Sequence, residues 1–281
     1  MDGMAGQPTV RRLAGALGAE IGGVDLAAGV SAALVARLRA LWLEHQVIFF
    51  RNQHLDPDAF LAFARCFGQV QEYPFVKGLA DHPMITPILK LPGETVNFGG
   101  VWHSDTAYLP RPPMATMLIA RELPPYGGDT EFASGYAAYE ALSPGMQRLL
   151  AGLRAVNSSA KADVSRTRED RMKDGKREDA RTLYEAEHPV VRTHPETGRK
   201  ALFVSTAHTA RFAGMTEAES QGLLATLFAH QTRPEFTCRF RWEPGSIAFW
   251  DNRCALHNPV NDYHGHKRLL HRVTLEGDVP A

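Results

Sequence analysis

The chain lacks the features that would direct it to a membrane or to nucleic acid. Its densest apolar run, ALWLEHQVIFF, is interrupted by Glu44 and His45 and is too short to span a bilayer. The N-terminal stretch MDGMAGQPTVRR has no apolar core followed by a small-residue cleavage site, so we do not expect a signal peptide. Lysine plus arginine and aspartate plus glutamate both number 31. The resulting zero net charge gives no electrostatic reason to expect nucleic acid or a membrane surface as a partner.

Cysteine is also scarce. The three cysteines, Cys66, Cys238 and Cys254, are odd in number and show no CxxC spacing. This usage is typical of a reduced compartment, and we expect ordinary core thiols in a cytoplasmic protein.

No repeat and no low-complexity linker divides the 281 residues, so the sequence predicts one domain over residues 1–281. From residue 100 onward, short β-like runs alternate with Gly/Pro turns, as in MATMLIAREL, GGDTEFAS, FTCRFRW and SIAFWDNRCALH. This pattern favours a mainly β fold, a sandwich or barrel, with helical decoration. The turn PETG between two strand-like runs predicts a hairpin.

Four segments carry helix signals. SAALVARLRALWLEH has an apolar stripe and a cap at Ser31, and LDPDAFLAFARCFG begins with an acidic cap and is predicted to end on Gly68. TEAESQGLLATLFAHQT carries a capping box formed by Thr216 and Glu219. The fourth helical segment is GYAAYEALSPGMQRLLAGL.

The segment 161–181, KADVSRTREDRMKDGKREDAR, is nearly devoid of apolar residues. We interpret it as a solvated mobile loop, and the alternative is a lid over a functional site.

The stretch WHSDTAYL contains the first indication of chemistry. In an extended strand, side chains two positions apart point the same way, so His103 and Asp105 are expected to project together and could bind one metal ion. A second histidine would complete the two-histidine, one-carboxylate triad of non-haem Fe(II) oxygenases. The pair alone is weak evidence, since such spacings arise by chance and the chain has 12 histidines.

Three motifs in the right order strengthen this hypothesis. WHSDTAYLPRPP, PPYGGDTEFAS and FWDNRCALHNPVNDYHGHKRLLHR together resemble the taurine dioxygenase (TauD/TfdA) family of Fe(II)/2-oxoglutarate-dependent dioxygenases. The resemblance implies a double-stranded β-helix core, also called a jelly roll or cupin-like fold. It also implies that His103, Asp105 and His257 are the iron ligands.

The same resemblance implies Fe(II), 2-oxoglutarate and O2 as cofactor and cosubstrates, with release of succinate and CO2. Arg268 matches the family's arginine for the distal carboxylate of 2-oxoglutarate, which a planar guanidinium can bind through two nitrogens. Thr130 matches the hydroxyl donor to the same group. The alternatives are that Arg268 is a surface cation and that Thr130 only forms a turn.

Arg272 matches the arginine that binds an anionic prime substrate. Positions four apart on a strand share a face, so Arg268 and Arg272 are expected to point into one cavity. By position, Tyr73 replaces a substrate-contacting histidine of the family, Gly99 an asparagine, and His208 an aromatic residue. We therefore expect a wider pocket that takes an alkyl sulfonate, alkyl sulfate ester or aryloxyalkanoate rather than taurine. Tyr73 and His208 could equally be packing residues.

Two other classes of protein stay open at this point. One is a zinc-dependent hydrolase, because histidine and carboxylate also bind zinc. The other is a cupin-like metal-binding protein without oxygenase activity. The family resemblance further implies a homo-oligomer, a dimer or a tetramer.

Overall fold

A computed structural model describes residues 8–97, 99–161 and 183–281. In these ranges the α-helices are Ala32–His45 (α1), Pro57–Arg65 (α2), Gly135–Glu140 (α3), Pro144–Leu150 (α4) and Glu217–Gln231 (α5). The strands are Thr9–Arg12 (β1), Ala19–Gly22 (β2), Val47–Phe50 (β3), Val70–Gln71 (β4), Thr86–Lys90 (β5), Ala115–Glu122 (β6), Thr130–Ser134 (β7), Arg154–Ser158 (β8), Glu185–Pro189 (β9), Val191–Thr193 (β10), Lys200–Leu202 (β11), Thr209–Phe212 (β12), Thr237–Phe240 (β13), Ile247–Asp251 (β14), Ala255–Pro259 (β15) and Arg268–Leu275 (β16). Apart from Lys161, the predicted loop 161–181 lies outside the described residues.

The larger sheet has the strand order β1-β2-β3-β14-β6-β16-β4, and β5 also pairs with β16. Successive side chains of each strand point to opposite sides of this sheet, and the sheet therefore has two apolar faces. One face carries residues such as Met117, Phe249 and Val273 and packs against α1 and α2.

The opposite face packs against a smaller sheet of order β13-β7-β15. Leu118, Trp250 and Leu270 of the larger sheet share one apolar cluster with Phe132 and Phe240 of the smaller sheet. The larger sheet, which is antiparallel except for the parallel pair β2–β3, faces the antiparallel smaller sheet, and this arrangement confirms the predicted mainly β, jelly-roll core. The functional site lies between them.

A third sheet, of order β12-β8-β9, and the hairpin β10–β11 lie beside this core. They share a separate apolar cluster with α3, α4 and α5. The turn PETG joins β10 to β11, as the sequence predicts.

The helix predictions are correct in type and partly wrong in extent. Ser31 caps α1, and the Thr216–Glu219 capping box begins α5. However, α2 ends at Arg65 rather than at Gly68. The segment 135–153 forms two helices, because Ser143 caps a new helix whose first residue is a proline.

The cysteine prediction is correct for Cys238 and Cys254, which are free and buried, but wrong for Cys66, which is free and exposed. Cys66 is the residue directly after α2, and Arg65 beside it is exposed as well. Within the described ranges, no helix is long and apolar enough to cross a membrane.

Candidate active site

Two histidines that are far apart in sequence are adjacent in the fold. His103 and His257 form an isolated antiparallel bridge, in which each backbone N–H donates to the other's carbonyl oxygen at 3.0 and 2.8 Å. Their ring centroids are 4.0 Å apart, and both residues are buried. His257 lies on β15, as predicted.

The prediction that WHSDTAYL is a strand is wrong. Only His103 makes a β-bridge, and Asp105 begins a turn in which Thr106 has a φ of 41°. Asp105 nevertheless reaches the histidines, because contacts with Asn252 fix this turn. The Ser104 hydroxyl donates to the Asn252 carbonyl at 2.8 Å, and Asp105 N–H donates to Asn252 Oδ1 at 3.4 Å.

Hydrogen bonds orient one potential metal-binding atom of His103 and one of Asp105 towards each other. His103 Nδ1 bonds the Val101 carbonyl at 2.7 Å, so this nitrogen carries the proton and Nε2 keeps its lone pair. Asp105 Oδ2 accepts from the Thr116 hydroxyl at 2.5 Å and from Asn252 Nδ2 at 3.4 Å. The other oxygen, Oδ1, lies 3.9 Å from His103 Nε2.

The charge states of these three side chains suit a divalent metal ion. Burial lowers the pKa of His103 and lowers that of His257 still further, so both imidazoles are neutral near pH 7. Burial acts to raise the pKa of Asp105, but the charges of His257, Arg272 and His103 lower it to about 2. The hydrogen bond from the Thr116 hydroxyl acts in the same direction, so the carboxylate is ionised at neutral pH.

The donor set fits a metal of the Fe(II) type. The ligand atoms of His103, Asp105 and His257 all lie within 4.8 Å of one another. Two neutral imidazoles and one carboxylate are the ligands of the facial triad, in which the remaining coordination positions stay open.

A second group of buried side chains, His194, Asp251 and Cys254, also brings its potential metal-binding atoms within 4.8 Å of one another. Here the atoms of His194 and Asp251 already form hydrogen bonds within the protein. His194 Nδ1 accepts from two backbone N–H groups at 3.2 Å, and its Nε2 lies 3.0 Å from Asp251. Arg253 binds both oxygens of Asp251, at 2.8 and 2.7 Å. This group is therefore a structural hydrogen-bond network.

The first triad opens into a pocket between the two sheets. Arg268 and Arg272 both line it, as expected for positions four apart on β16. Each is only 4% exposed, so the alternative that Arg268 is a surface cation is wrong. The other lining residues are Ile88, Leu89, Lys90, Asn97, His103, Asp105, Leu118, Thr130, Trp250, His257, Pro259 and Tyr263.

Arg268 and Thr130 both present hydrogen-bond donors to the pocket. Arg268 Nε and Nη2 are buried and have no hydrogen-bond partner among the described residues. The Thr130 oxygen accepts a hydrogen bond from Trp242 Nε1 at 3.0 Å, which leaves its own proton to donate elsewhere. Buried donors without partners are costly, and a bound carboxylate would satisfy them. These residues fit the distal carboxylate of 2-oxoglutarate.

Arg272 lies at the other end of the same strand face, close to the triad. Its Nη1 is 3.6 Å from Asp105 Oδ1, and its guanidinium lies over the Tyr73 ring at 3.9 Å. Burial raises the pKa of Tyr73, so its hydroxyl stays protonated. Tyr73 thus positions Arg272 by direct contact, although it does not itself line the pocket.

Gly99 and His208 lie next to His103 rather than in the pocket lining. Gly99 has a φ of 74°, and a Cβ at this position would come within 2.9 Å of His103 Cε1. A glycine is therefore required here because the backbone approaches the histidine ring closely. From the sequence, the glycine was instead expected to widen the pocket. The His208 ring packs edge-on against His103 and Tyr108, at 5.8 and 5.0 Å.

Three further residues of the site were not predicted from the sequence: Asn252, Thr116 and Lys90. Asn252 lies inside the quoted motif FWDNRCAL, and its side chain links Asp105, Thr116 and Trp250. Thr116 is the polar residue in the apolar run MATMLIA, which is the signal that could have identified it. Lys90 belongs to no recognisable sequence motif.

Comparisons with known proteins agree with this geometry. The family described as "Taurine catabolism dioxygenase TauD, TfdA family" matches residues 9–274. An alpha-ketoglutarate-dependent sulfate ester dioxygenase of Pseudomonas putida is 38% identical over 97% of this chain and 90% of its own length. An alpha-ketoglutarate-dependent 2,4-dichlorophenoxyacetate dioxygenase of Cupriavidus pinatubonensis is 32% identical over 91% of this chain and 93% of its own. The crystal structure of a taurine dioxygenase from Burkholderia xenovorans superimposes with a TM-score of 0.83, at 37% identity, over 98% of this chain and 93% of that one.

Proposed function

The chain belongs to the TauD/TfdA family of Fe(II)/2-oxoglutarate-dependent dioxygenases, and from this premise we propose that it oxidises a small organic anion at a site formed by His103, Asp105 and His257. One observation carries this proposal. Three buried metal-binding side chains and a buried arginine with unsatisfied donors face the same pocket.

His103, Asp105 and His257 are the proposed iron ligands. When bound, Fe(II) would activate O2, which oxidises 2-oxoglutarate to succinate and CO2 with one oxygen atom and hydroxylates the prime substrate with the other. The protein contributes the orientation of the donors: Val101 fixes the tautomer of His103, and Thr116 and Asn252 fix Asp105. These hydrogen bonds hold the ligands in place before a metal arrives.

Arg268 and Thr130 are the proposed partners of the distal carboxylate of 2-oxoglutarate. A zinc-dependent hydrolase has no use for such a carboxylate receptor, and a protein that only binds metal has no use for a second arginine in the same pocket. These two residues therefore favour the oxygenase over both alternatives.

Arg272 is the proposed contact for the anionic group of the prime substrate. An alkyl sulfate ester is our first candidate, because the relative that acts on sulfate esters matches this chain over nearly its whole length. Hydroxylation of the carbon that bears the ester oxygen gives an unstable product, which collapses to an aldehyde and sulfate. Alkyl sulfonates and aryloxyalkanoates offer Arg272 a similar anion.

Tyr73 and His208 stay proposed substrate contacts, although they lie behind the pocket lining. Each touches a residue that lines the pocket: the Tyr73 ring lies 3.9 Å from the Arg272 guanidinium, and the His208 ring packs against His103. The Phe75 ring contacts Tyr73, Tyr108 and Tyr184, with centroid distances of 5.5, 5.7 and 5.3 Å, and supports Tyr73 in this position. Gly99 supports the site from behind His103.

The test is a panel of alkyl sulfates, alkyl sulfonates including taurine, and aryloxyalkanoates, assayed by the succinate formed. We expect substrate-dependent succinate with at least one anion larger than taurine, and its loss in Arg272→Met. The exposed Arg233 gives a matched control, since Arg233→Met removes an arginine far from the pocket lining. Turnover of taurine alone would contradict the substrate proposal, and no succinate with any anion would contradict the site itself.

Three further proposals complete this description. The family match over residues 9–274 supports a single dioxygenase domain, and the free cysteines support a cytoplasmic location. We also propose a homo-oligomer, a dimer or a tetramer, which light scattering on the purified protein will test.

A further inference from the structure

A third buried cation lines the pocket beside Arg268. Lys90 is the last residue of β5, and the antiparallel register places it directly opposite Arg268 on β16. Lys90 is 3% exposed and Arg268 is 4% exposed. Like charges directly opposite each other on neighbouring strands are destabilising, and burial increases this cost.

The direct contacts of the Lys90 ammonium are with neutral groups. It donates to Asn261 Oδ1, a neutral amide, at 2.7 Å, and lies 4.1 Å from the centre of the Tyr263 ring. Burial, the largest effect, and the charge of Arg268 lower the pKa of Lys90, whereas the charges of Glu94 and Asp262 raise it.

Lys90 lies at the cosubstrate end of the pocket. Arg272 pairs with Thr86, so four strand residues, or about 14 Å, separate the Lys90–Arg268 pair from the Arg272 position. The Arg268 guanidinium also lies 5.7 Å from the Tyr263 ring, so the two cations share one aromatic neighbour. An anion bound by Arg268 is therefore within the electrostatic reach of Lys90.

We propose that Lys90 is a second cationic contact for the distal carboxylate of 2-oxoglutarate, held in position by Asn261 and Tyr263. This inference rests on the proposed function, since it requires that Arg268 binds that carboxylate. Lys90 and Arg268 together favour a 2-oxo acid with a second carboxylate over one that ends in a methyl group.

The test measures binding of 2-oxoglutarate to the protein loaded with Mn(II), by anaerobic calorimetry and without prime substrate. We expect Lys90→Met to weaken binding about 10- to 100-fold, because it removes one charge-assisted contact. Lys90→Arg should recover most of the affinity. Lys267→Met is the matched control, because Lys267 is the neighbour of Arg268 in sequence but is exposed and bound to Glu122.

A second ligand separates charge recognition from a general defect. 2-Oxopentanoate has the same chain length as 2-oxoglutarate and lacks the distal carboxylate, so Lys90→Met should bind it as well as the parent does. The melting temperature of the ligand-free variant should stay the same or rise, since a buried like-charge pair is relieved.

Three results would overturn the proposal. The first is equal affinity of Lys90→Met and the parent for 2-oxoglutarate. The second is a lower melting temperature with no recovery in Lys90→Arg, which indicates a structural role. The third is an effect confined to the KM of the prime substrate. If the parent itself fails to bind 2-oxoglutarate, the proposed function fails as well, and this outcome is distinct from the other three.

Discussion

Replacement of Thr116 by valine tests whether hydrogen bonding prepares Asp105 for the metal. The change keeps the branched shape of the side chain and removes the hydroxyl that donates to Asp105 Oδ2 at 2.5 Å. It also removes the acceptor for Asn252 Nδ2, at 3.0 Å. Asp105 Oδ2 then keeps the weak contact with Asn252 Nδ2 at 3.4 Å, and Oδ1 keeps Arg272 at 3.6 Å.

The expected magnitude follows from what the hydrogen bond does. A hydrogen bond to a charged group contributes about 1.5–3 kcal/mol, but this bond exists before the metal binds. Only the lost orientation of Asp105 should therefore weaken metal binding. Partners of this kind typically change metal affinity 10- to 100-fold, and we expect about tenfold, or about 1.4 kcal/mol.

The assay is an anaerobic calorimetric titration with Mn(II). Thr116→Ser should bind as the parent does, because it keeps the hydroxyl. Thr274→Val is a matched control, since Thr274 lies opposite Thr116 in the β6–β16 register and its hydroxyl bonds the Gln71 carbonyl instead. If Thr116→Val binds Mn(II) as tightly as the parent, the orientation argument is refuted.

Three other changes have defined outcomes. Gly99→Ala should fold but lose most of its Mn(II) affinity in calorimetry, because its Cβ would come within 2.9 Å of the His103 ring. Arg268→Lys should raise the KM for 2-oxoglutarate at least about tenfold, since an ammonium cannot reproduce the two-nitrogen contact; an unchanged KM would contradict the assignment. Burial lowers the pKa of His271 from 6.5 to about 4. Between pH 4 and 6.5 the unfolded chain therefore binds more protons than the folded chain. The contribution of His271 to stability falls as pH decreases through this window. His271→Gln should therefore lose less stability than the parent between pH 7 and pH 5 in urea unfolding, and equal losses would show that His271 does not titrate in this way.

The parts of the site that could be predicted are those set by strand periodicity. Arg268 and Arg272 share a face because β16 is regular from residue 268 to 275. His257 was identified through the family resemblance and not by alternation, since a turn at residues 252–254 separates β14 from β15. For the two arginines the local strand pattern decides the direction of the side chains.

The approach of Asp105 could not be derived in this way. The alternation His-Ser-Asp imitates a strand, but Ser104 is also buried and its hydroxyl bonds the carbonyl of Asn252, 148 positions away. A contact at that separation in sequence overrides the local preference, and no window of neighbouring residues contains it. Asp105 reaches the two histidines although the predicted backbone was wrong, and its role as an iron ligand stays a prediction.

Lys90 shows a second limit of the same kind. A lysine at the end of a short strand is normally exposed, and only the register with Arg268 reveals that this one faces the pocket. Strand register depends on the pairing of residues nearly 180 positions apart, which sequence periodicity does not specify. The same holds for the Thr116 hydroxyl, whose partner is known only once β6 and the turn at Asp105 are placed together.

The balance of charge in the pocket links these residues to the order of binding. The lining contains three cations, Lys90, Arg268 and Arg272, and one carboxylate, Asp105, which leaves an excess of two positive charges. A ferrous ion adds two more, so metal binding alone makes the pocket more cationic. The dianion 2-oxoglutarate removes this addition, and an anionic substrate then reduces the excess further. Each anion should therefore bind more tightly once the metal is present. Each should also raise the free energy of unfolding by an amount that grows with the ratio of its concentration to its Kd. A neutral substrate would leave the excess of positive charge in the pocket unchanged, which is the physical reason to expect an anion there.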